Sequence, residues 1–207
     1  MKKISVVIPV YNRKINMRLV NIFYKFKKYL NVIIVEDGSR KEIILYNKKL
    51  LKKYSNVKYF SYKKNKGQSF ACNFGIRKTK TKYIWFFDDD DFLSNRTIKE
   101  VLKSLKLNRE GYLMPMKQIY NGVVIKFSNP SKRPHDFNDL RNNGQLVSTS
   151  CSIFKTKLIR KIKGWDNYLY GGTDTDLFLR FSKIGQFKFI DCNPVIINIS
   201  QPGRLTN

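Results

Sequence analysis

The chain has 207 residues, and its 41 lysines and arginines outnumber its 15 aspartates and glutamates to give a formal net charge of +26. Hydrophobic residues make up 42% of the chain and aromatic residues 14%, which excludes a globally disordered protein because a sizeable core can be buried. The length predicts a single domain, and no apolar run reaches the roughly 18 residues of a membrane-spanning helix.

The first half of the chain alternates between strand-like and helix-like segments. The continuous apolar run ISVVIPV over residues 4–10 predicts a strand that is buried on both faces. The pattern then predicts, in chain order, a helix over 16–30, a strand over 32–36, a helix over 40–54, a strand over 57–61, a helix over 67–78 and a strand over 82–87. This alternation predicts βαβ units and a mainly parallel sheet.

The second half is less regular. The Asn121-Gly122 pair lies between two β-prone arms in QIYNGVVIKF (118–127), which predicts a hairpin. Residues 128–139 are rich in Pro, Ser and Asn and predict a loop. The remaining predictions are a strand over 150–155 and helices over 156–163 and 174–184. We therefore expect an α/β half that reaches about residue 115, with a mixed half packed against it.

The net charge of +26 allows more than one interpretation. The lysines are spread along the chain, with short clusters KTKTK (78–82) and KLIRKIK (157–163). They are explained either by solvated helix faces that reflect a biased composition or by attraction to an anionic membrane surface. A nucleic-acid partner is not predicted, because no known nucleic-acid-binding motif accompanies the charge.

The cysteines and the N-terminus indicate the compartment. Cys72, Cys151 and Cys192 lie far apart and form no CxxC pair, so we expect reduced thiols, without zinc or disulfides, in a cytosolic protein. The N-terminal segment lacks a small-residue cleavage site and is typical of a first strand rather than of a signal peptide.

Four polar loops follow the four predicted strands. They are YNR (11–13), EDGS (36–39), KNKG (64–67) and DDDD (88–91). Because ligands bind at the carboxyl ends of parallel strands, we expect these loops to meet at one edge of the sheet. Adjacent carboxylates raise each other's pKa unless a cation neutralises them. A divalent cation shared by the alternate residues Asp88 and Asp90 is one explanation, and a solvated acidic loop is the other.

The sequence resembles the inverting glycosyltransferases of family 2, which have the GT-A fold. SVVIPVYNR resembles the family's opening strand, VIIVEDGS its strand ending in Asp-Asp-Gly-Ser, and FFDDDDF its Asp-x-Asp-Asp metal motif. NKGQSFACNFGI matches the pattern Asn-x-Gly-x-x-x-Ala-Arg-Asn-x-Gly, except that Cys72 replaces the arginine. GWDNYLYGGTDTDLFLRFSKIG (164–185) resembles the segment with the catalytic base, although Thr173 replaces the usual glutamate.

The resemblance implies a GT-A fold, with a mostly parallel, Rossmann-like central sheet flanked by helices and a smaller mixed lobe on the acceptor side. Residues 1–207 would form one catalytic domain, in which 1–115 bind the nucleotide sugar and 116–207 bind the acceptor. It further implies metal-dependent transfer of a hexose or N-acetylhexosamine from a UDP-sugar to a hydroxyl of a growing glycan. The product would be a bacterial capsule, lipopolysaccharide or other surface polysaccharide.

The resemblance also implies roles for individual residues. Asp90 would be the direct ligand of Mn²⁺ or Mg²⁺ with Asp88 as its partner, while Asp88 or Asp89 reaches the ribose or the metal shell. Asp174 would be the catalytic base. The backbone near Pro9, Val10 and Tyr11 would shape the pocket for the base, and Asp37 would accept a hydrogen bond from uracil. Lys66 and Gly67 would bind phosphate.

Several residues keep alternative interpretations. Asp37 would otherwise be a turn residue of EDGS, and Asp174 would otherwise cap a helix, with Asp176 as the reserve base. Trp165 either stacks on a sugar or fills the core. His135 is the sole histidine, and a role as metal ligand is the less favoured interpretation.

Two other functions are compatible with parts of the sequence. A sugar-phosphate nucleotidyltransferase has a similar sheet, but the expected Gly-rich loop with Arg is missing from PVYNRK. A basic nucleic-acid-binding module would explain the charge but not the four loops. For a glycosyltransferase we expect a cytoplasmic location, peripheral on the inner face of the membrane, where KLIRKIKGW (157–165) meets anionic lipid and the acceptor is a glycan or lipid-linked glycan.

Overall fold

The computed structural model of the chain describes residues 2–132 and 135–200. In the first half, strands and helices alternate as predicted. They are β1 (Ile4–Val10), α1 (Met17–Lys25), β2 (Leu30–Asp37), α2 (Lys41–Leu51), β3 (Val57–Tyr62), α3 (Gln68–Lys78), β4 (Tyr83–Phe86) and α4 (Asn95–Ser104).

The second half contains shorter elements. They are β5 (Gly111–Leu113), β6 (Met116–Tyr120), β7 (Val123–Ser128), α5 (Phe137–Asn143), β8 (Ser152–Lys155), α6 (Thr156–Lys161), α7 (Thr173–Ser182), β9 (Phe187–Phe189) and β10 (Val195–Asn198). Single turns of 3₁₀ helix cover Leu105–Leu107, Pro130–Lys132 and Thr149–Cys151.

The main sheet has seven strands in the order β3-β2-β1-β4-β8-β5-β9. β1 pairs in parallel with β2 and β4, and β2 pairs in parallel with β3. β8 runs antiparallel to both of its neighbours, so it is the strand that departs from the common direction. The predicted α/β class with a mostly parallel sheet is confirmed. The main sheet is not confined to the residues before 115, because its strands β8 and β9 come from the second half of the chain.

A second, smaller sheet is mixed. β6 lies between β10, which is parallel to it, and β7, which is antiparallel. Asn121 and Gly122 connect β6 to β7 with φ angles of 47° and 80°. Positive φ at both central residues is the geometry of a type I′ turn, so the predicted hairpin is confirmed.

Some predicted boundaries were wrong. α1 ends at Lys25 rather than near residue 30, because Leu30 is fully buried and already begins β2. The loop predicted over 128–139 includes the start of α5, where the Asp136 carboxylate accepts a hydrogen bond from the Asp139 amide at 2.8 Å and caps the helix. Residues 133 and 134 of that loop lie outside the described residues.

Helices cover both faces of the sheet. On one face, the Trp85 ring contacts Phe23 of α1 edge-on, with ring centroids 6.0 Å apart. On the other, the neighbouring Phe86 ring contacts Trp165 edge-on at 5.2 Å. This alternation follows from the two-residue period of a strand. In the described ranges, 2–132 and 135–200, no helix is both long and apolar enough to span a membrane.

The close approach of α3 to β1 provides a test of the packing. A Cβ atom added at Gly75 would lie 2.3 Å from Val7 Cγ1. Alanine usually favours a helix over glycine, but here we expect Gly75→Ala to destabilise the fold by about 1–3 kcal/mol through overpacking. Thermal denaturation measures the change, and Val7→Ala in the same chain should recover part of it. A Gly75→Ala protein more stable than the parent would contradict this packing.

Candidate active site

The loops after β1, β2, β3 and β4 meet at the carboxyl end of the sheet, as predicted. Arg13, after β1, donates hydrogen bonds from Nη1 to Asp89 Oδ1 and to Asp90 Oδ2, both at 3.1 Å. Asp37, at the end of β2, accepts hydrogen bonds from the amides of Lys66 and Gly67, both at 2.8 Å. Residues that are distant in sequence are thus joined at one edge, which we call the carboxyl edge.

Arg13 is a protein cation at the aspartate cluster, and the sequence did not indicate this role. Burial by itself lowers the pKa of the Arg13 guanidinium, but Asp89 and Asp90 outweigh burial and raise that pKa. The pairs are partly shielded from water, since the Arg13 side chain is 30% exposed and the Asp90 side chain 8%. Part of the charge of the DDDD segment is therefore neutralised within the chain.

The four aspartates contact three different parts of the fold. Asp88 Oδ1 accepts a hydrogen bond from Gln68 Nε2 at 3.0 Å, at the start of α3. Asp89 and Asp90 contact Arg13. Asp91 is fully buried, and its Oδ1 accepts a hydrogen bond from the Asn198 amide at 3.3 Å. Asp91 therefore faces the second sheet, which leaves the first three aspartates as the candidate ligand set.

The Asp89 carboxyl holds its proton more tightly than an ordinary aspartate. Burial raises the pKa of Asp89 to about 6, and the charges of Asp90 and Glu36 act in the same direction while Arg13 opposes them. A raised pKa in the folded state means that folding favours the protonated carboxyl. This group therefore reduces the stability of the fold as pH rises from about 4 to about 6.

Replacing Asp89 by asparagine tests this effect. Asparagine resembles the protonated carboxyl, so in buffer with EDTA we expect Asp89→Asn to raise Tm at pH 7.5 and to change Tm little at pH 4.5. The difference corresponds to at most about 3 kcal/mol. Asp191→Asn, which removes an exposed carboxylate, is the control for lost charge. A lower Tm for Asp89→Asn at pH 7.5 would show that its pairing with Arg13 outweighs burial.

Asp37 joins the end of β2 to the loop before α3. Besides the amides of Lys66 and Gly67, its Oδ2 accepts a hydrogen bond from Asn65 Nδ2 at 3.1 Å, and Asp37 is 2% exposed. The two loops also approach closely at Gly38, where an added Cβ would lie 2.2 Å from the Asn65 amide nitrogen. These contacts give Asp37 a structural role, and its hydrogen bond to uracil stays a prediction.

Glu36, the first acid of EDGS, is fully buried and fixes the loop that carries Arg13. It accepts hydrogen bonds from Ser39 Oγ, from Asn47 Nδ2 at 3.0 Å and from the Tyr59 hydroxyl at 2.9 Å. Asn47 also donates to the Arg13 carbonyl oxygen at 2.9 Å. Burial and the Glu36 charge raise the pKa of Tyr59, which keeps its hydroxyl a donor. Glu36 and Asn47 thus hold the backbone of Arg13 in position.

The predicted base pocket lies at the end of β1. Val10 is buried, Pro9 is partly buried, and Tyr11 is half exposed at 51%. Gly67 has a φ of 90° and directly precedes α3. Their contacts with a nucleotide stay predictions, although Tyr11 offers an accessible ring beside the carboxyl edge.

The aspartate cluster offers carboxylate oxygens, which are the ligands that Mg²⁺ and Mn²⁺ prefer. Among residues 2–132 and 135–200, no group of three or more His, Cys, Asp or Glu side chains is placed to hold a metal ion. Mg²⁺ is commonly bound by only one or two carboxylates together with substrate phosphates, so the oxygen atoms of Asp88 and Asp90 fit that chemistry. His135 Nδ1 lies 3.7 Å from Asp139 Oδ2, in the segment that leads into α5.

Asp174 lies in the first turn of α7. Its Oδ2 accepts a hydrogen bond from Gln145 Nε2 at 3.3 Å. The helix begins after Gly172 without a side-chain cap, so the interpretation of Asp174 as the capping residue was wrong. Asp176 instead forms an ion pair with Arg180, whose Nη1 also donates to the carbonyl oxygens of Ile162 and Gly164, both at 2.7 Å. Asp176 therefore holds α7 to the preceding loop.

Cys72 is a buried residue of α3. The thiol is buried, and burial raises its pKa well above the usual range, with further contributions from Asp88, Asp174 and Asp37. The thiol at position 72, where the family pattern has arginine, is therefore neutral, and the charges of all three carboxylates act on it.

Trp165 belongs to the core. It is 4% exposed, and its backbone amide donates to Asn73 Oδ1 at 2.9 Å while its carbonyl oxygen accepts from Asn73 Nδ2 at 2.8 Å. Of the two interpretations, core packing is the one that the structure supports. Just beyond it, Tyr168 and Tyr170 are 90% and 101% exposed.

Comparisons with known proteins find glycosyltransferases that are similar to parts of this chain. A protein of Rickettsia bellii named as an uncharacterized glycosyltransferase is 38% identical over 109 residues, which are 51% of this chain and 15% of that protein. The poly(ribitol-phosphate) beta-N-acetylglucosaminyltransferase TarP of Staphylococcus aureus is 29% identical over 120 residues, which are 55% of this chain and 36% of TarP.

A solved structure shows the same fold over nearly the whole chain. The crystal structure of S. aureus TarS 1-349 in complex with UDP-GlcNAc superposes with a TM-score of 0.83 at 19% identity, and the match covers 99% of this chain and 61% of that one. The chain thus spans less than two thirds of the length of each of these three proteins. The family described as "Glycosyl transferase family 2" matches residues 5–163, which are more than half of the sequence. The chain therefore belongs to glycosyl transferase family 2.

Proposed function

We propose that the chain is a catalytic unit that transfers a hexose or N-acetylhexosamine from a UDP-sugar to a hydroxyl of a growing glycan, with inversion. The observation that carries this proposal is the meeting of the four polar loops at the carboxyl edge of a family 2 fold, where Arg13 contacts Asp89 and Asp90 and Asp37 accepts hydrogen bonds from the amides of Lys66 and Gly67. UDP-GlcNAc in the TarS structure and the acetylglucosaminyl donor in the name of TarP support a UDP-sugar of this class.

In this mechanism Asp174 accepts the proton of the acceptor hydroxyl as that oxygen attacks the anomeric carbon and UDP leaves. Asp174 is the better candidate because, within the described ranges, its carboxylate receives one side-chain amide hydrogen bond, at 3.3 Å from Gln145, whereas Asp176 is paired with Arg180. Lys66 and the N-terminus of α3 are proposed to contact the diphosphate, because a cation and exposed amides favour phosphate.

A divalent cation, Mn²⁺ or Mg²⁺, is part of the proposal. Asp90 and Asp88 would hold it, and when bound it would supply Lewis-acid stabilisation to the diphosphate leaving group. Arg13 already contacts Asp90 at 3.1 Å, so this chain provides positive charge at the same carboxylate. Arg13 thereby limits the repulsion between Asp89 and Asp90 and orients both carboxylates.

The acceptor is proposed to be a bacterial surface polymer or its lipid-linked precursor. TarP is named for poly(ribitol-phosphate), which supports a cell-surface polymer such as capsule, lipopolysaccharide or teichoic acid. A net charge of +26 supports a cytoplasmic enzyme that is held peripherally at an anionic membrane face. Membership of family 2 favours glycosyl transfer over the nucleotidyltransferase and nucleic-acid-binding alternatives.

A donor screen tests the proposed function. The protein is incubated with each common UDP-sugar and Mn²⁺, and released UDP is measured with the Asp174→Asn protein as the control. Titration calorimetry compares UDP with single-stranded RNA, each with and without Mn²⁺. We expect one UDP-sugar to be preferred and UDP to bind more tightly than RNA. Tight RNA binding without any UDP binding would contradict the proposal.

A further inference from the structure

The two basic clusters of the sequence meet at one place in the fold. Residues from KTKTK (78–82) and from KLIRKIK (157–163) line an open cavity of about 340 Å³, together with the end of β8. Five cations line it, namely Lys80, Lys82, Lys155, Lys157 and Arg160. The spread of lysines along the sequence therefore conceals a local concentration of positive charge.

This cavity lies away from the carboxyl edge. Lys80 and Lys82 directly precede β4, whereas Asp88–Asp91 follow it, so the two sites lie at opposite ends of the same strand. Four residues of extended chain separate them by roughly 13 Å. The cavity is therefore not part of the donor site.

The backbone around the cavity is held in place by specific contacts. The Thr156 amide donates to the Lys82 carbonyl oxygen at 2.9 Å, which joins the two basic segments directly. Arg160 Nη2 donates to the Thr79 carbonyl oxygen at 2.6 Å. Lys155 is 9% exposed, and its Nζ donates to the Asn108 carbonyl oxygen at 3.1 Å and lies 3.7 Å from Glu110 Oε1. These contacts hold together the segments that carry the cations.

A second observation comes from Thr156, which also lines the cavity. It is 4% exposed, and within the described part of the chain its buried Oγ1 has no hydrogen-bond partner. Leaving a buried hydroxyl unsatisfied is unfavourable, and the contacts of the fold do not explain this one. Because Oγ1 is shielded from solvent, the open cavity presents its cations, and not this hydroxyl, to an anion.

We propose that this cavity binds a phosphate group. A phosphate oxygen accepts charge-assisted hydrogen bonds from ammonium and guanidinium groups, and its charge offsets the repulsion among Lys80, Lys82 and Lys157. Glu110 pairs with Lys155 and leaves the charge of the cavity strongly positive. Two sources carry this chemistry, namely the headgroup of an anionic phospholipid and free phosphate.

Titration calorimetry with inorganic phosphate tests the site. Lys82 and Lys157 are exposed, so the K82Q/K157Q protein should fold as the parent does and bind phosphate at least about tenfold more weakly. K48Q/K49Q removes two exposed lysines of α2 and should bind as the parent does. Thr156→Val removes the buried hydroxyl at nearly constant shape and should bind phosphate as the parent does, without a lower Tm. Equal binding by all four proteins, or no saturable binding by the parent, would overturn the proposal.

A flotation experiment then distinguishes the two sources. The same proteins are mixed with vesicles of phosphatidylcholine alone or with added phosphatidic acid. If the calorimetry gives the expected result, loss of flotation in K82Q/K157Q but not in K48Q/K49Q assigns the site to the lipid headgroup. Equal flotation of both variants assigns it to free phosphate. Neither experiment depends on glycosyl transfer, so failure of the donor screen would not affect the outcome.

Discussion

Replacing Asp174 by asparagine is expected to reduce glycosyl transfer by about 10²-fold or more while UDP binding stays unchanged. Asparagine keeps the shape of the side chain and can still contact Gln145, so the fold should not change. It cannot accept the proton of the acceptor hydroxyl at neutral pH. Transfer is measured as release of UDP with the preferred donor, and UDP affinity is measured by calorimetry.

Asp176→Asn is the matched control, because it changes the same chemical group two residues away. Asp176 pairs with Arg180, which in turn holds the carbonyl oxygens of Ile162 and Gly164. Its loss should lower Tm and leave most of the transfer activity at temperatures where the protein is folded. If folded Asp176→Asn protein loses transfer and Asp174→Asn protein retains it, the base is Asp176 and our assignment is wrong.

The fold was predictable where strands are long and buried on both faces. β1 and β2 are continuous apolar runs because both strands lie in the interior of the sheet. β1 has a parallel neighbour on each side. β5 and β9 have three residues each, which is too short to show a period, and their pairing depends on β8. α4 did carry signals that the sequence analysis missed, since Ser94 caps it and its apolar residues recur at helical spacing.

The location of the candidate site was predictable, but its internal contacts were not. The strand order places the four loops together, and this follows from the βαβ pattern alone. The partners of the individual side chains depend on distances across the folded chain. Arg13 and Asp90 are 77 residues apart, and Asp91 and Asn198 are 107 apart. Sequence therefore presented DDDD as one cluster, whereas the fold divides it between α3, Arg13 and β10.

The second large effect is expected for Asp90→Ala, which should abolish the dependence of UDP affinity on Mn²⁺. Asp90 offers a carboxylate oxygen at the carboxyl edge, and a divalent cation held there together with the diphosphate is expected to couple metal binding to nucleotide binding. The readout is the ratio of UDP dissociation constants without and with Mn²⁺, measured by calorimetry. The parent protein should show a ratio well above one, and Asp90→Ala a ratio near one.

Asp89→Ala distinguishes loss of a metal ligand from loss of the contact with Arg13. Both carboxylates accept a hydrogen bond from Arg13 at 3.1 Å, so each substitution removes one partner of the guanidinium. Only Asp90 is proposed as a direct metal ligand, so Asp89→Ala should keep the Mn²⁺-dependent ratio even if it weakens UDP binding overall. Equal losses in both variants would show that Arg13 transmits the effect. Equal UDP affinity of Asp90→Ala and the parent, both with Mn²⁺, would exclude Asp90 as the ligand.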